Sequence, residues 1–299
     1  MAAERRGENY LTADLLTMLA WSALLIAGVG ATAHLYRHMG AVVASQASIM
    51  SLAALTDTLL LKNGINPIAS WIVAVSFGCV LGLLHLPILL QGGTSLLLVI
   101  TILGHFVLVG LWYALPELTG GSGGILLPTN TRARASMAML CLLMIGSAAY
   151  LHFSSGSRAR KRFDWACVQE MSTKAGAFGV PALRLYVIGF TLYGTLLGAA
   201  GVAGTRYPGY LSVTSFGLPW TLATVMIVLF GAGRPIFGQW LLSLLYCLIR
   251  VILSQSVFAQ VPAAYVFEVS FPLILLVLLY ARKKPSHGPA ARGPDALRQ

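Results

Sequence analysis

Long apolar stretches separated by short polar ones form the dominant pattern of this chain. Windows long enough to cross a hydrocarbon core of about 30 Å recur along it. They are residues 15–36, 41–61, 67–90, 94–115, 135–153, 185–204, 236–256 and 263–281, with a shorter window at 217–231. The pattern predicts an all-α polytopic membrane protein of about 8 to 10 transmembrane helices. Residues 1–281 form the membrane domain, and the basic tail, residues 282–299, is expected to be disordered.

The longest polar interruption, residues 154–184, fixes the predicted orientation. Lys and Arg far outnumber Asp and Glu in it, and such loops stay on the cytoplasmic side. Residues 116–134 are then outside and the C-terminus is cytoplasmic. Counting back over five crossings puts the N-terminus outside, unless one of the early windows is re-entrant. Residues 166–179 lack proline and predict a short helix, ended by Gly179 and Pro181. This loop either fixes topology alone or is a docking surface for a cytoplasmic partner.

Composition supports the membrane assignment and narrows the function. Of the 299 residues 57% are hydrophobic and only 10% charged, against roughly 25% charged in soluble domains. The net charge of +11 therefore reflects topology and contact with anionic lipid, and nothing favours nucleic-acid binding. The four cysteines are dispersed, which indicates neither a disulfide framework nor a metal site. The chain has no nucleotide-binding motif, so any ATPase activity must belong to another chain.

Polar side chains inside the apolar windows are the pathway candidates, because such groups prefer a cavity or a helix contact to lipid. They are Ser45, Gln46, Asp57 and Thr101. For the first two and Thr101, hydrogen bonding between helices is the competing interpretation. Asp57 is either functional or a carboxylate at a helix end near the outer headgroups. Arg250 and Glu268 could pair between the last two spans, and the scattered histidines are interpreted as packing residues.

Glycines add two further predictions. Those of the span at 185–204 recur mostly every three or four residues, which favours close helix packing. Residues 231–238 interrupt two apolar segments, and a broken helix deep in a membrane is tolerated only beside protein or a cavity. We therefore expect a pathway wall near that break.

Several of these segments resemble the membrane permeases of the branched-chain amino-acid ABC importers. The most specific is a threonine-led apolar helix followed by an acidic residue and a Thr-Gly-Gly-x-x-Gly-Ile turn. Its residues are Thr101, Glu117, Thr119, Gly120, Gly121, Gly124 and Ile125. Residues 45–54, 170–184 and 230–238 are similar to other motifs of the family. The chain departs from the pattern where Ser45 and Ala53 replace glycines and where Phe106 and Val109 replace charged residues.

The resemblance implies a type II ABC importer fold and a permease subunit, not an enzyme. The expected solute is a branched-chain amino acid or another small polar molecule such as urea, a short amide or an organic acid. The implied partners are a second homologous permease, two cytoplasmic ATPases that carry ATP and Mg²⁺, an extracytoplasmic binding protein and the lipid of a bacterial inner membrane.

The resemblance also implies two functional surfaces. A coupling helix spanning residues 170–179 would seat in a groove of the ATPase. The coupling residues are Glu170, Ser172, Lys174, Ala175, Gly176, Ala177, Gly179 and Arg184. The turn of Glu117, Thr119, Gly120, Gly121 and Gly124 would shape the outer mouth or contact the binding protein, unless it is purely structural.

Two other classes of function remain to be weighed. An ion-coupled secondary transporter would need intramembrane carboxylates, and Asp57 alone supports it. A membrane-embedded enzyme would need a clustered nucleophile, base or metal set, and the sequence shows no such cluster.

Overall fold

The computed structural model describes residues 2–127, 175–212, 215–231, 236–255 and 263–282, together with positions 146, 164 and 168. The helices in these ranges are α1 (Ala2–Met39), α2 (Gln46–Lys62), α3 (Pro67–Leu83), α4 (His85–Ala114), α5 (Pro116–Thr119), α6 (Ala182–Arg206), α7 (Leu218–Phe230), α8 (Ile236–Gln255) and α9 (Ala263–Arg282). Short 3-10 turns lie at Gly121–Gly123 and Ala175–Phe178. The predicted all-α class is confirmed for this part of the chain.

Three of these helices are long and apolar enough to cross a membrane. They are Leu19–Met39 within α1, the whole of α4 and the whole of α6. Helices α3 and α7 are apolar but shorter. These features are compatible with the predicted membrane protein. The predicted span at 135–153, most of the polar loop and the tail beyond residue 282 lie outside the described residues.

Two predicted boundaries were wrong. The window at 67–90 is not one span, because α3 ends at Leu83 and α4 begins at His85. Pro87 does not prevent this restart, since a proline in the first helical turn removes an N–H that has no partner in the helix anyway. Gly93, at φ 70°, then kinks α4. The window at 41–61 begins as a helix only at Gln46.

Helix α6 lies at the centre of the bundle and packs against α1, α2 and α3. Its glycines allow this, which confirms the close-packing prediction. A Cβ atom added to Gly194 would stand 2.9 Å from the Cα of Gly82, and one added to Gly198 would stand 3.1 Å from the Cα of Gly78. Since two backbones approach this closely only where both lack side chains, the α3–α6 contact depends on glycine from both helices.

The contacts of α6 also give the direction of α1. Near the end of α6, Gly204 faces Leu24, whereas near its beginning Gly189 faces Leu35 and Met39. The two helices are therefore antiparallel, and the Ala2 end of α1 lies at the same end of the bundle as Arg206. The crossing count predicts this arrangement when it places both of these ends outside.

A two-stranded sheet lies at the end of the bundle that contains Arg206, which we call the outer end. Strand β1 (Ile125–Leu126) pairs antiparallel with β2 (Tyr210–Leu211), with Ile125 opposite Leu211. Because β1 follows the glycine-rich turn and β2 follows α6, the sheet ties the turn to the central helix.

Candidate functional site

The chain is not helical between α1 and α2, and this break lies inside the bundle. Gly40 takes a φ of 64°, and no regular structure follows until Gln46. Ser45 is only 4% exposed, and its hydroxyl lies 3.2 Å from the phenolic oxygen of Tyr193, halfway along α6. Helix α2 therefore begins in the protein interior, where water cannot satisfy the N–H groups that a helix start leaves without partners.

Two threonines from other helices satisfy backbone N–H groups at this break. The amide of Ala44 donates to Oγ1 of Thr101 in α4 over 3.1 Å. The amide of Ala47 donates to Oγ1 of Thr221 in α7, also over 3.1 Å. Thr101 is among the sequence-predicted pathway residues, whereas Thr221 was missed. The two threonines in the otherwise apolar run of α7, Thr221 and Thr224, are the signal that could have identified it.

Gln46 faces α1 instead of a cavity. Its Nε2 donates to Oγ1 of Thr32 over 2.9 Å and to the carbonyl oxygen of Val43 over 2.8 Å. Its Oε1 is buried, and no hydrogen-bond partner for it lies among the described residues. In this conformation Gln46 links the break to α1 by hydrogen bonds. This agrees with the alternative in which Gln46 makes a contact between helices.

A cavity of about 210 Å³ lies beside the break, between α2, the end of α3 and both halves of α4. Its polar lining comes from Ser45, Ser48, His85 and Thr101. The remaining lining residues are Ile49, Leu52, Leu81, Leu84, Ile88, Ile100, Gly104 and Leu108. Two predicted pathway residues, Ser45 and Thr101, thus share one cavity. Ser48 and His85 were not predicted to be there.

Two histidines are fixed around this cavity by hydrogen bonds. Nδ1 of His85 lies 2.8 Å from the carbonyl oxygen of Leu81 and 3.1 Å from that of Gly82. Nδ1 of His105 lies 3.1 Å from Oγ of Ser48. From the sequence, both histidines were interpreted as packing residues, because isolated histidines give no spacing signal. His85 reaches the cavity because α4 begins there, at a helix boundary that the apolar pattern did not reveal.

Asp57, the fourth candidate, is buried and paired with Arg206 near the outer end. The guanidinium donates from Nε to Oδ2 over 2.8 Å and from Nη2 to Oδ1 over 2.6 Å. Nη2 also donates to the carbonyl oxygen of Pro67 over 2.8 Å, and the hydroxyl of Ser70 donates to Asp57. Both side chains are at most 4% exposed. Asp57 therefore lies near the end of α2, as the alternative interpretation places it, but it is buried in an ion pair. Arg206 was missed because the apolar window ends at residue 204.

The outer turn is held by its own hydrogen bonds. The buried Thr119 hydroxyl donates to the carbonyl oxygen of Leu115 over 2.9 Å and accepts from the Gly121 amide over 3.2 Å. Gly120 and Gly124 take φ angles of 73° and 67°, and the Tyr210 hydroxyl donates to the carbonyl oxygen of Gly123 over 2.9 Å. These glycines have a structural role, whereas the side chain of Glu117 is exposed.

The described part of the predicted coupling segment is a 3-10 turn, Ala175–Phe178, directly before α6. Gly179 follows with a φ of 70°, and Ala177, Phe178 and Arg184 are exposed. The predicted short helix takes the 3-10 form over these four residues, where one glycine lies within the turn and another follows it. Glu170, Ser172 and Lys174 lie outside the described residues.

The last two predictions from the sequence concern α7 and α8. The chain leaves α7 at Phe230 and re-enters a helix at Ile236, which confirms the interruption but not a pathway wall. The side chain of Glu268, the predicted partner of Arg250, lies outside the described part of the structure. The Arg250 guanidinium lies 5.1 Å from the ring centroid of Trp21.

Comparison with protein-family models, with curated proteins and with solved structures finds no significant match to this chain.

Proposed function

We propose that this protein is a permease subunit of an ABC importer and that its solute passes the cavity at the start of α2. The interior start of α2 is the single observation that carries the proposal. Non-helical backbone at membrane depth is tolerated only where protein or a cavity satisfies it. Transporter sites are typically built at such breaks, and here a cavity with hydroxyl and imidazole groups lies next to one.

A connection from the cytoplasmic side to the cavity supports the ATP-driven mechanism. The turn at Ala175–Phe178, in which Ala177 and Phe178 are exposed, ends shortly before α6 begins at Ala182. Tyr193 lies 11 residues into that helix, or about 16 Å at 1.5 Å per residue, and its hydroxyl contacts Ser45. A rigid helix can transmit a displacement if a partner binds its two positions with different affinity. An ATPase that moves the turn would thereby shift the wall of the cavity.

The partners of this subunit follow from the same proposal. ATP hydrolysis requires two separate ATPases, since the chain carries no phosphate-binding loop. A second permease would complete the pathway, and a binding protein would deliver the solute at the outer end near Glu117. The complex would reside in a bacterial inner membrane with the C-terminus of this chain in the cytoplasm.

The alternative of an ion-coupled secondary transporter is weakened by the structure. Its only support in the sequence is Asp57, and both carboxylate oxygens of Asp57 already accept hydrogen bonds from Arg206. A coupling cation would have to displace a bidentate arginine from a buried site, which leaves that arginine without a counter-charge.

Purification of the tagged protein from its native membrane tests the proposal. We expect an ATPase with a phosphate-binding loop to co-purify, and substitution of the lysine in that loop to abolish uptake by the complex. Ala177→Trp should reduce ATPase association, because Ala177 is exposed in the turn before α6. The matched control is Ala69→Trp, an exposed alanine near the outer end of α3, which should leave ATPase association unchanged. Uptake that is driven by an ion gradient without an ATPase would contradict the proposal.

A further inference from the structure

Some polar groups of the cavity already have all their hydrogen-bond donors occupied by other residues, whereas others can still bind a solute. The hydroxyl of Thr101 accepts from the Ala44 amide and donates to the carbonyl oxygen of Leu98 over 2.9 Å. The hydroxyl of Ser48 shares one hydrogen bond with Nδ1 of His105. Thr101 therefore has no hydrogen left for a solute, and the polar groups to consider are His85 and the pair Ser45–Tyr193, with Ser48 beside them.

His85 offers one hydrogen-bond acceptor. Both partners of its Nδ1 are carbonyl oxygens, which accept only, so Nδ1 carries a proton. In the neutral ring Nε2 is then an acceptor, and the described residues supply it with no partner. The ring lies parallel to that of Phe190, with centroids 6.1 Å apart and an interplanar angle of 6°. This contact and the two carbonyls fix the orientation of the acceptor.

The pair Ser45–Tyr193 offers one donor. Two hydroxyl groups that share a single hydrogen bond use one of their two hydrogens. When Tyr193 donates to Ser45, the hydrogen of the Ser45 hydroxyl is left for an acceptor in the cavity that Ser45 lines. The donor and the acceptor are neighbours, because the ring centroids of His85 and Tyr193 are 6.2 Å apart.

The other described residues of the lining are aliphatic apart from Gly104, and none of them is Asp, Glu, Lys or Arg. An ammonium or carboxylate group that leaves water would therefore gain no counter-charge from them, which is costly. At about 210 Å³ the cavity is also smaller than the roughly 300–1,000 Å³ of typical ligand pockets. A small, uncharged solute fits both conditions.

We infer, on the basis of the proposed function, that the transported solute is uncharged, with a short apolar body and an adjacent hydrogen-bond donor and acceptor. A primary carboxamide is the simplest such group: its N–H donates to Nε2 of His85, and its carbonyl oxygen accepts from the Ser45–Tyr193 pair. The apolar body lies against the leucines and isoleucines of α2 and α4. A free branched-chain amino acid also has such a body but adds two charges that no described lining residue balances.

Cysteine protection in the purified complex tests this inference. Gly104 lines the cavity, and a Cβ atom added to it meets no atom within 4 Å. The control position is Ser122, which is exposed in the outer turn. In protein whose four native cysteines are replaced, Gly104→Cys and Ser122→Cys are modified with a small methanethiosulfonate reagent. Isovaleramide should slow modification at Gly104→Cys and leave Ser122→Cys unchanged. Leucine and isovalerate should protect at least about tenfold more weakly.

Two variants in the Gly104→Cys background test the hydrogen bonds. His85→Phe keeps a ring against Phe190 but removes the acceptor Nε2. Ser45→Ala removes the hydroxyl of the pair that lines the cavity. Each should raise the isovaleramide concentration for half-protection by about fivefold to tenfold, the effect of one lost hydrogen bond. Because Ser45→Ala leaves the carbonyl partners of His85 in place, it remains informative if His85→Phe does not fold.

The inference is overturned if isovaleramide gives no protection, or if leucine or isovalerate protects equally well. The labelling needs neither ATP nor transport, so its outcome is separable from that of the proposed function. Protection without a co-purifying ATPase would refute the importer but retain the solute class. ATP-driven uptake of an amino acid without amide protection would refute the solute class alone.

Discussion

Helices α4 and α6 are both long enough to cross a membrane, but they bury very different fractions of their surface. In α6, 61% of the most apolar 18-residue window is buried and the mean hydropathy is 1.6, whereas in α4 only 17% is buried and the value is 2.3. The more apolar helix is thus the more exposed one. Lipid is as apolar as leucine, so burial in a membrane bundle depends on small residues that allow close packing. Helix α6 has those residues on the faces that meet α2 and α3.

The glycines of α6 should therefore tolerate substitution far less well than those of α4. A Cβ atom added to Gly201 would collide with the backbone of Met50 in α2, whereas one added to Gly110 meets no atom within 4 Å. We expect Gly201→Leu to destabilise the protein by roughly 4 kcal/mol or more, the range reached by severe overpacking. Gly110→Leu should change stability by less than about 0.5 kcal/mol.

Denaturant titration of the two variants in mixed micelles measures this difference. The expected result is that Gly201→Leu yields no folded protein or a much lower midpoint, while the midpoint of Gly110→Leu matches wild type. Equal tolerance of the two substitutions would mean that α6 is not packed against α2 as described.

The second difference between the helices is an ion pair. Helix α6 ends in Arg206, which is buried against Asp57 of α2, whereas α4 contains no Asp, Glu, Lys or Arg. Removing one partner of a buried pair leaves an uncompensated charge, so Asp57→Leu should cost about 3–5 kcal/mol. Replacing both partners removes the unpaired charge, and the double variant Asp57→Leu, Arg206→Leu should recover much of that loss.

Lys62 provides the control, because it is an exposed charge at the end of the same helix as Asp57. Lys62→Ala should alter the unfolding free energy by less than about 0.5 kcal/mol. If the double variant is no more stable than Asp57→Leu alone, the two residues do not act as a pair.

These two features differ in how far the sequence predicts them. The glycine spacing of α6 is visible in the sequence and predicts close packing correctly. The ion pair cannot be seen in the sequence, because Asp57 and Arg206 are 149 residues apart and the apolar window ends before Arg206. The break at residues 40–45 was missed for a related reason: the backbone leaves the helix where threonines from α4 and α7 satisfy its N–H groups. Such contacts depend on tertiary structure, which local hydropathy does not encode.

The smallest expected effect concerns the exposed face of α4, where we expect lipid contact. Leu103 is 58% exposed, whereas Leu97, six residues earlier, is fully buried. Leu103→Ala should change the unfolding free energy by less than about 0.5 kcal/mol, since lipid fills the vacated space. Leu97→Ala should cost about 2–5 kcal/mol, because it leaves a cavity inside the bundle. A spin label at Leu103→Cys should collide readily with oxygen dissolved in the bilayer. If that accessibility is high for this subunit alone and falls when the complex assembles, the face is a subunit interface, and its apolarity serves a protein partner instead of lipid.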